Sequence, residues 1–476
     1  MSQTAGPSTE PLHWWTARDL AAAIRRRELS AREVVAWHLE RIAQVNPRIN
    51  AIVSLRPEAA LEEADAADRR AASGELVGPL HGLPIAIKDL EDTAGIRTTY
   101  GSVAFAEHVP DADSLVVARL RAAGAIVVGK TNTPEFGIGS HTFNEVFGVT
   151  RNPWAVDRSA GGSSGGAGAA LAAGLVPIAD GSDHGGSIRN PASFNNVVGL
   201  RPTPGLVPDS GAGDIWDTAA VVGPMARTMG DLALMLTAIS EPDPYSPLSH
   251  GDPAAFAPPL NGELTGLRVA WCPDAGGLPV DAAVLDVLEE ARDRLVALGC
   301  VVEDVQLDLS RADVAFETLR ALAFVRGFGP SLAALRGVAK DTLIWNVEQG
   351  LALDAPAIAD AMVAKSEVFT AVASLLEPFD VLAVPAAQVV PFAVEQEYPT
   401  QVAGVQMPHY LGWMRACSRI TVSAHPVAAV PAGFTVEGLP VGLQLVGPYR
   451  CDRRLLEHAA AWEAATGLTQ RHPPLD

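Results

Sequence analysis

Two serines sit in glycine-dense stretches, Ser163 in Gly161-Gly162-Ser163-Ser164-Gly165-Gly166 and Ser187 in Gly181-Ser182-Asp183-His184-Gly185-Gly186-Ser187-Ile188-Arg189. A lone lysine, Lys88, lies upstream in Pro84-Ile85-Ala86-Ile87-Lys88-Asp89. A serine hydroxyl becomes a useful nucleophile only when a base takes its proton, and Ser–Lys pairs are one variant of the Ser-His-Asp logic. Lysine at its reference pKa of about 10.4 is charged near neutrality, so Lys88 can act as a base only if burial lowers it toward about 7–8. The apolar residues ahead of Lys88 offer one wall of such a pocket. Each piece taken alone has a plainer reading. Glycine-rich serine loops also bind phosphate, cap helices or merely connect, and a lysine at a strand end also faces solvent.

The elements that must bring these residues together are legible as pattern. Thr16-Ala17-Arg18-Asp19 and Ser30-Ala31-Arg32-Glu33 read as capping boxes opening two helices, the second ending at Asn46-Pro47. A third helix is expected over 57–72, a strand over 84–88, a helix over 114–123 and a strand over 125–128. Residues 167–174 read as a helix fed by the Ser163 loop, and 176–179 as a short buried strand. Ser187 enters the segment 188–198, where the free N–H groups of a helix start suit a developing oxyanion. Farther on, the spacing predicts strands over 267–271 and 301–307 around a helix over 281–298. Residues 311–376 read as mostly helical, interrupted at Pro330 and Gly350. Strands are expected over 381–384 and 427–430, and Asp452 caps a last helix ending near Gly467. This alternation is that of an α/β protein. The polar, proline-rich stretch from Glu241 to Gly262 is read as crossing the surface of one domain.

Composition excludes several classes. A hydrophobic fraction of 48% with 19% charged residues fits a folded globular protein. The formal net charge of −20 and the absence of any basic stripe argue against a nucleic-acid partner. Cys272, Cys300, Cys417 and Cys451 show no C-x-x-C pair, so neither a metal site nor a disulfide framework is expected. The stretch from Met1 to Leu12 has no apolar core, and no later run approaches the ~18 apolar residues of a membrane span. The expectation is a cytoplasmic protein with no membrane partner. Gly124-x-x-x-x-Gly129-Lys130-Thr131 fits the P-loop expression and would imply a nucleotide-binding protein. The order is wrong for a phosphate cradle: the residues between the glycines are themselves a strand, and Asn132-Thr133-Pro134 stands where a helix should begin.

The stretches 79–89, 122–132, the double-serine loop and Gly185-Gly186-Ser187-Ile188-Arg189 together resemble the amidase signature family. Support continues in Val198-Gly199-Leu200-Arg201-Pro202-Thr203, Gly223-Pro224-Met225-Ala226-Arg227-Thr228 and Gly438-Leu439-Pro440-Val441-Gly442-Leu443-Gln444. The resemblance implies one α/β domain with a large, twisted, mixed β-sheet flanked by helices, although length alone allows about three domains. Within it, 11–75 would be an N-terminal helical layer, 76–235 the core carrying the site and 263–476 the remainder.

The resemblance also implies a cofactor-independent hydrolase of amide C–N bonds, extending to aryl amides, esters or carbamates. Ser187 would be the nucleophile, Ser163 the relay in a cis peptide and Lys88 the base; the serines are 24 residues apart, as in the family. Backbone N–H groups of His184, Gly185, Gly186 and Ser187 would form the oxyanion hole. Phe136, Gly137, Ile138, Trp216 and Thr218 would face a small-molecule substrate. Ser164 and Ser182 are read as ordinary loop serines, Arg189 as a brace, and Asp183 as orienting its loop. His184 stands where the family commonly has a small hydroxyl residue. The family's Asn-x-x-Gly before His-Pro appears here as Thr421-Val422-Ser423-Ala424-His425-Pro426, a departure that touches packing near the site. The rival within the family is the glutaminase component of a tRNA-dependent amidotransferase, and a homo-oligomer is left open.

Overall fold

Both capping boxes form. In the computed structural model, which describes residues 10–209 and 213–475, Thr16 accepts from the Asp19 N–H and opens α1 (Ala17–Arg25). Ser30 and Glu33 cap each other's backbone at the start of α2 (Ala31–Ile49). The expectation for the first nine residues lies outside the described residues. α2 does not stop at Asn46-Pro47 but runs on to Ile49 and ends at left-handed Asn50. A proline in a last turn costs a single backbone hydrogen bond, and Asn46 compensates at the exit. Its side chain accepts from the N–H groups of Ala51 and Ile52 and donates to the Ile52 carbonyl, turning the chain into a strand.

The remaining helices are α3 (Pro57–Ser73), α4 (Leu115–Ala122), α5 (Gly165–Ala172), α6 (Arg189–Asn195), α7 (Met229–Ile239), α8 (Ala282–Ala297), α9 (Ser310–Phe328), α10 (Leu332–Leu335), α11 (Asp341–Leu351), α12 (Ala355–Leu375), α13 (Arg415–Val422) and α14 (Asp452–Thr466). One sheet takes eleven strands: β1 (Ile52–Leu55), β2 (Pro84–Lys88), β3 (Ile126–Thr131), β4 (Ile178–Asp183), β5 (Val198–Arg201), β6 (Val221–Ala226), β7 (Arg268–Trp271), β8 (Val301–Asp304), β9 (Val381–Pro385), β10 (Val427–Phe434) and β11 (Pro440–Val446). Their spatial order is β1-β3-β2-β4-β6-β5-β10-β11-β9-β7-β8. Pairing is parallel at β3-β2-β4 and β9-β7-β8, and antiparallel elsewhere. This is the large mixed sheet between helices, in one α/β domain. Among the described residues no helix is long and apolar enough to cross a membrane.

The site depends on which face of β2 each residue takes. Ile85 and Ile87 enter the core with α1, α4 and α7, whereas Ala86 packs with α2, α3 and α5 on the other face. The period of two then sends Lys88 to the Ala86 face, toward the small-residue helix α5 that follows Ser163 and Ser164. All eight residues of α5 are buried.

Several elements differ from the sequence reading. The expected N-terminal helical layer contributes β1 to the sheet, antiparallel to β3. β4 begins two residues after the expected start and runs on to Asp183, so it carries Ser182. Strands β5, β6 and β11 were not expected; every residue of each is buried, so no apolar–polar alternation marks them. The stretch Gly124 to Thr131 is a helix exit followed by β3, and Lys130 is buried, donating to the Glu91 carbonyl and to Thr93 Oγ1 at 2.8 Å. Only a three-residue 3-10 turn, Glu135–Gly137, follows beyond Pro134, so no α-helix start stands behind Lys130-Thr131 to form a phosphate cradle. Asp452 is the first residue of α14, and its carboxylate instead accepts from the Thr203 N–H and hydroxyl. The four cysteines are free, three of them buried.

Gly350 does not interrupt the helical region; it lies inside α11 where that helix touches α9. A Cβ there would sit 2.3 Å from the Ala321 carbonyl oxygen and 2.5 Å from a Val325 methyl. At an exposed helix position Gly→Ala stabilises by about 1 kcal/mol. Here overpacking reverses the sign: Gly350→Ala is expected to lower unfolding free energy by about 1–3 kcal/mol in denaturant titration, and a gain in stability would contradict the close contact.

Candidate active site

Lys88, fully buried, ends β2 with its Nζ at 2.8 Å from Ser163 Oγ, 2.8 Å from Ser164 Oγ and 3.0 Å from Ser182 Oγ. Among the described residues no carboxylate pairs with it. Burial lowers its pKa to about 8, against the weaker opposing fields of Asp180, Glu91 and Asp183. Asp180 accepts the Lys88 backbone N–H at 2.8 Å and thereby fixes the strand end. Burial also raises the Asp180 carboxyl above its ordinary range, and its Oδ2 has no hydrogen-bond partner.

Three hydroxyls around one amine are a proton inventory. An ammonium has three N–H donors, so all three hydroxyls accept from it. A neutral amine has two N–H groups and one lone pair, so one hydroxyl must donate. The Ser164 hydroxyl lies 3.5 Å from the Ser182 carbonyl oxygen, which gives its own proton an acceptor. That leaves Ser163 and Ser182 as the hydroxyls able to donate to the lone pair. Sequence reasoning treats Ser164 and Ser182 as ordinary loop serines; the structure brings both to Lys88. The signal lies in their adjacency to Ser163 and to the end of β4.

The Ser163 loop is held from behind. The Gly162–Ser163 peptide is cis. Ser140 donates to the Gly162 carbonyl at 2.6 Å, Thr142 to the Gly161 carbonyl at 2.9 Å, and Asn190 Nδ2 to Ser140 Oγ at 2.8 Å. The Ser164 N–H donates to the Ser187 carbonyl at 3.0 Å, tying the two serine loops directly together.

The Ser187 loop is built on Asp183. Its buried carboxylate accepts from the N–H groups of Gly186 (2.9 Å) and Ile188 (3.0 Å) and from Arg189 Nε and Nη2 (3.0 and 2.8 Å). Arg201 reaches the same carboxylate at 3.3 Å and the Asp183 carbonyl at 2.6 Å. Burial alone would raise this carboxyl; the Arg189 and Arg201 charges and these hydrogen bonds overcome it and hold it well below the usual range. Arg189 is the brace expected of it, donating also to Gln444, Thr421 and the Cys417 carbonyl.

One expected oxyanion donor differs: the Gly186 N–H is engaged by Asp183. Gly186 instead gives the loop its φ of 117°, a conformation open to glycine. The N–H groups of Gly185 and Ser187 have no protein acceptor among the described residues. Ser187 is 7% exposed, and its hydroxyl likewise meets no protein partner there.

The expected substrate-facing residues separate. Gly137 adjoins Ser163, its Cβ position lying 3.4 Å from Ser163 Oγ. Phe136 belongs to an aromatic group with Tyr100, Phe105 and Phe328. Ile138 is wholly within the core, and Trp216, 65% exposed, points outward. Thr218 lines a cavity of about 40 Å³ beside the Ser187 loop, with His184, Asp217, Phe316, Arg320 and Lys365. Burial, then the Arg320 charge, lowers the His184 pKa, so its ring is neutral near pH 7. A wider cleft of about 430 Å³ at His141, Phe143, Glu145 and Glu397 is not lined by Lys88, Ser163 or Ser187. Among the described residues no three His, Cys, Asp or Glu side chains converge as metal ligands do.

Comparison with known proteins agrees with this architecture. The Amidase family matches residues 33–456. An acylamidase of Rhodococcus erythropolis is 36% identical over 469 residues, which cover 97% of this chain and 98% of that protein. The A subunit of the glutamyl-tRNA(Gln) amidotransferase of Moorella thermoacetica is also 36% identical, over 98% of this chain and 99% of its own. Among solved structures, a bacterial aryl acylamidase of the amidase signature family superposes with a TM-score of 0.89 at 28% identity, covering 98% of this chain and 100% of that one. The peptide amidase of Stenotrophomonas maltophilia follows with a TM-score of 0.78 at 29% identity, covering 97% and 98%. With its whole length matched in sequence and fold, the chain belongs to the amidase signature family.

Proposed function

We propose that this protein hydrolyses amide C–N bonds by acyl transfer through Ser187, with Lys88 as the base and Ser163 as the proton relay. The carrying observation is the buried Lys88 amine, lowered to about 8 and in hydrogen-bond contact with Ser163. In the first half-reaction Ser187 Oγ attacks the amide carbonyl carbon while its proton passes to Ser163, whose own proton passes to neutral Lys88. The relay then returns a proton to the leaving nitrogen as the C–N bond breaks, giving an ester on Ser187 and a free amine. Water attacks that ester in the second half, its proton taking the same route, and the acid leaves. The oxyanion of each tetrahedral intermediate is met by the unengaged N–H groups of Gly185 and Ser187, each such donor contributing about 3–4 kcal/mol in a comparable hydrolase. Arg189 and Arg201 are both turned onto Asp183, whose carboxylate balances one of their two charges, so their donors shape the loop instead of meeting the oxyanion.

The full-length match to an amidotransferase component supports a second reading, a glutaminase that works with partner chains. The full-length structural match to an aryl acylamidase, at a TM-score of 0.89, supports the free-standing hydrolase. Turnover of a simple anilide by the purified chain alone, with glutamine unreactive, is the expected outcome; the reverse pattern would favour the glutaminase.

Ser187→Ala and Lys88→Met are each expected to reduce kcat on a neutral anilide by at least about 1000-fold while the circular dichroism spectrum is kept. Undiminished turnover in either variant would refute the mechanism. The active form carries neutral Lys88, so kcat/KM should climb about tenfold per pH unit below about 8 and level off above it. A profile already flat at pH 6 would show that the base is another group.

A further inference from the structure

We propose that the cavity beside His184 is a subsite for a carboxylate carried by the substrate, with Arg320 as the residue that binds it. This rests on the hydrolase reading above and names the substrate class of that site. Arg320 is buried, at 6% relative exposure, yet no carboxylate lies within ion-pair distance of it among the described residues. Its Nη2 donates to Tyr410 OH at 3.1 Å, and that hydroxyl also accepts from Asn346 Nδ2 at 2.7 Å. Its Nε is buried with no acceptor among the described residues. The guanidinium is kept in place by ring faces, 4.7 Å from the Phe324 centroid and 5.9 Å from that of Phe316.

Arg201 Nε, like Arg320 Nε, is buried without an acceptor among the described residues, but the Arg201 charge is met by a carboxylate and that of Arg320 is not. Arg189 and Arg201 share Asp183, Arg419 pairs with Asp313, and Arg227 donates to three backbone carbonyls. A buried guanidinium with an unmet donor is costly unless something else completes it, and ring faces offset only part of that cost. Arg320 lines the cavity, so an entering ligand can supply the missing acceptor. A carboxylate matches best, since guanidinium–carboxylate hydrogen bonds are charge-assisted and geometrically complementary. The cavity has room for one group of that size.

The charges around the cavity favour an anion. Lys365 is a second cation in its wall, without an ion-pair partner among the described residues. Asp217 is the opposing carboxylate; it is occupied by the Ala219 N–H at 2.9 Å and by Arg326 at 3.8 Å. His184 is neutral. The cavity also adjoins the reacting centre. Phe316, one turn before Arg320 on α9, has its ring 2.7 Å from the position of a Cβ on Gly185 and lies edge-on to His184 at 5.6 Å. A substrate acylating Ser187 can therefore extend a few bonds to reach Arg320.

The test compares kcat/KM for hexananilide with that for the monoanilide of adipic acid, and, in a second arm, for N-hexanoyl-4-aminobenzoate. The first arm places a carboxylate on the acyl side and the second on the amine side. The wild type should favour one carboxylated substrate over hexananilide by at least about tenfold, in line with a charge-assisted hydrogen bond. Arg320→Gln should collapse that ratio toward one through KM, and Arg320→Lys should restore part of it. A merely structural role would lower all substrates together and leave the ratio intact. Binding is read separately from turnover: glutarate should raise the Tm of the Ser187→Ala protein, and the added Arg320→Gln should abolish that rise. If no anilide is turned over but the glutarate shift depends on Arg320, the hydrolase reading fails and the subsite stands. No carboxylate preference in either arm, a ratio that survives Arg320→Gln, or a glutarate response independent of Arg320 would overturn the subsite.

Discussion

A lysine amine held in the interior with hydroxyls as its neighbours and no carboxylate in contact sets the terms for the rest of this structure. Desolvation is what lowers Lys88 to about 8, and that lowering would be undone by a paired acid. The fold therefore has to exclude water from the end of β2 while admitting oxygen atoms on one side only. It does so with α5, whose glycines and alanines let the sheet and the Ser163 loop approach closely. Asp180 approaches Lys88 through the backbone N–H, fixing its place from below.

The Ser187 loop answers a different constraint. On the proposed mechanism it presents N–H groups to a charge that exists only during reaction, and keeps them away from charges that exist always. Asp183 resolves this by gathering Arg189, Arg201 and the N–H groups of Gly186 and Ile188 onto one carboxylate. The loop is then rigid without a permanent acceptor at Gly185 or Ser187. The direct bond from the Ser164 N–H to the Ser187 carbonyl ties the two serine loops together, which limits independent drift of Ser163 and Ser187.

The sequence singled out Lys88, Ser163 and Ser187 because glycine-dense loops and an isolated lysine are conspicuous locally, and their order and spacing matched a family. It carried the amphipathic helices for the same local reason. It did not carry β5, β6 or β11, since strands buried on both faces have no period to read. Gly350 read as a break because a glycine in a helix is locally unfavourable; only the neighbouring α9 explains it. Ser164 and Ser182 looked incidental because their partner is more than 70 residues away in the chain. Arg320 was invisible for a related reason: what distinguishes it is a missing partner, which belongs to three dimensions.

The proposed mechanism requires Lys88 to lose its proton near pH 8 inside the folded protein. The chain has four lysines, Lys88, Lys130, Lys340 and Lys365, few enough to follow individually by NMR with 13Cε-labelled lysine and assignment by substitution. The account predicts a Lys88 resonance that titrates at about 8 and vanishes from the spectrum of Lys88→Met. A Lys88 resonance that stays that of an ammonium beyond pH 10 would contradict it.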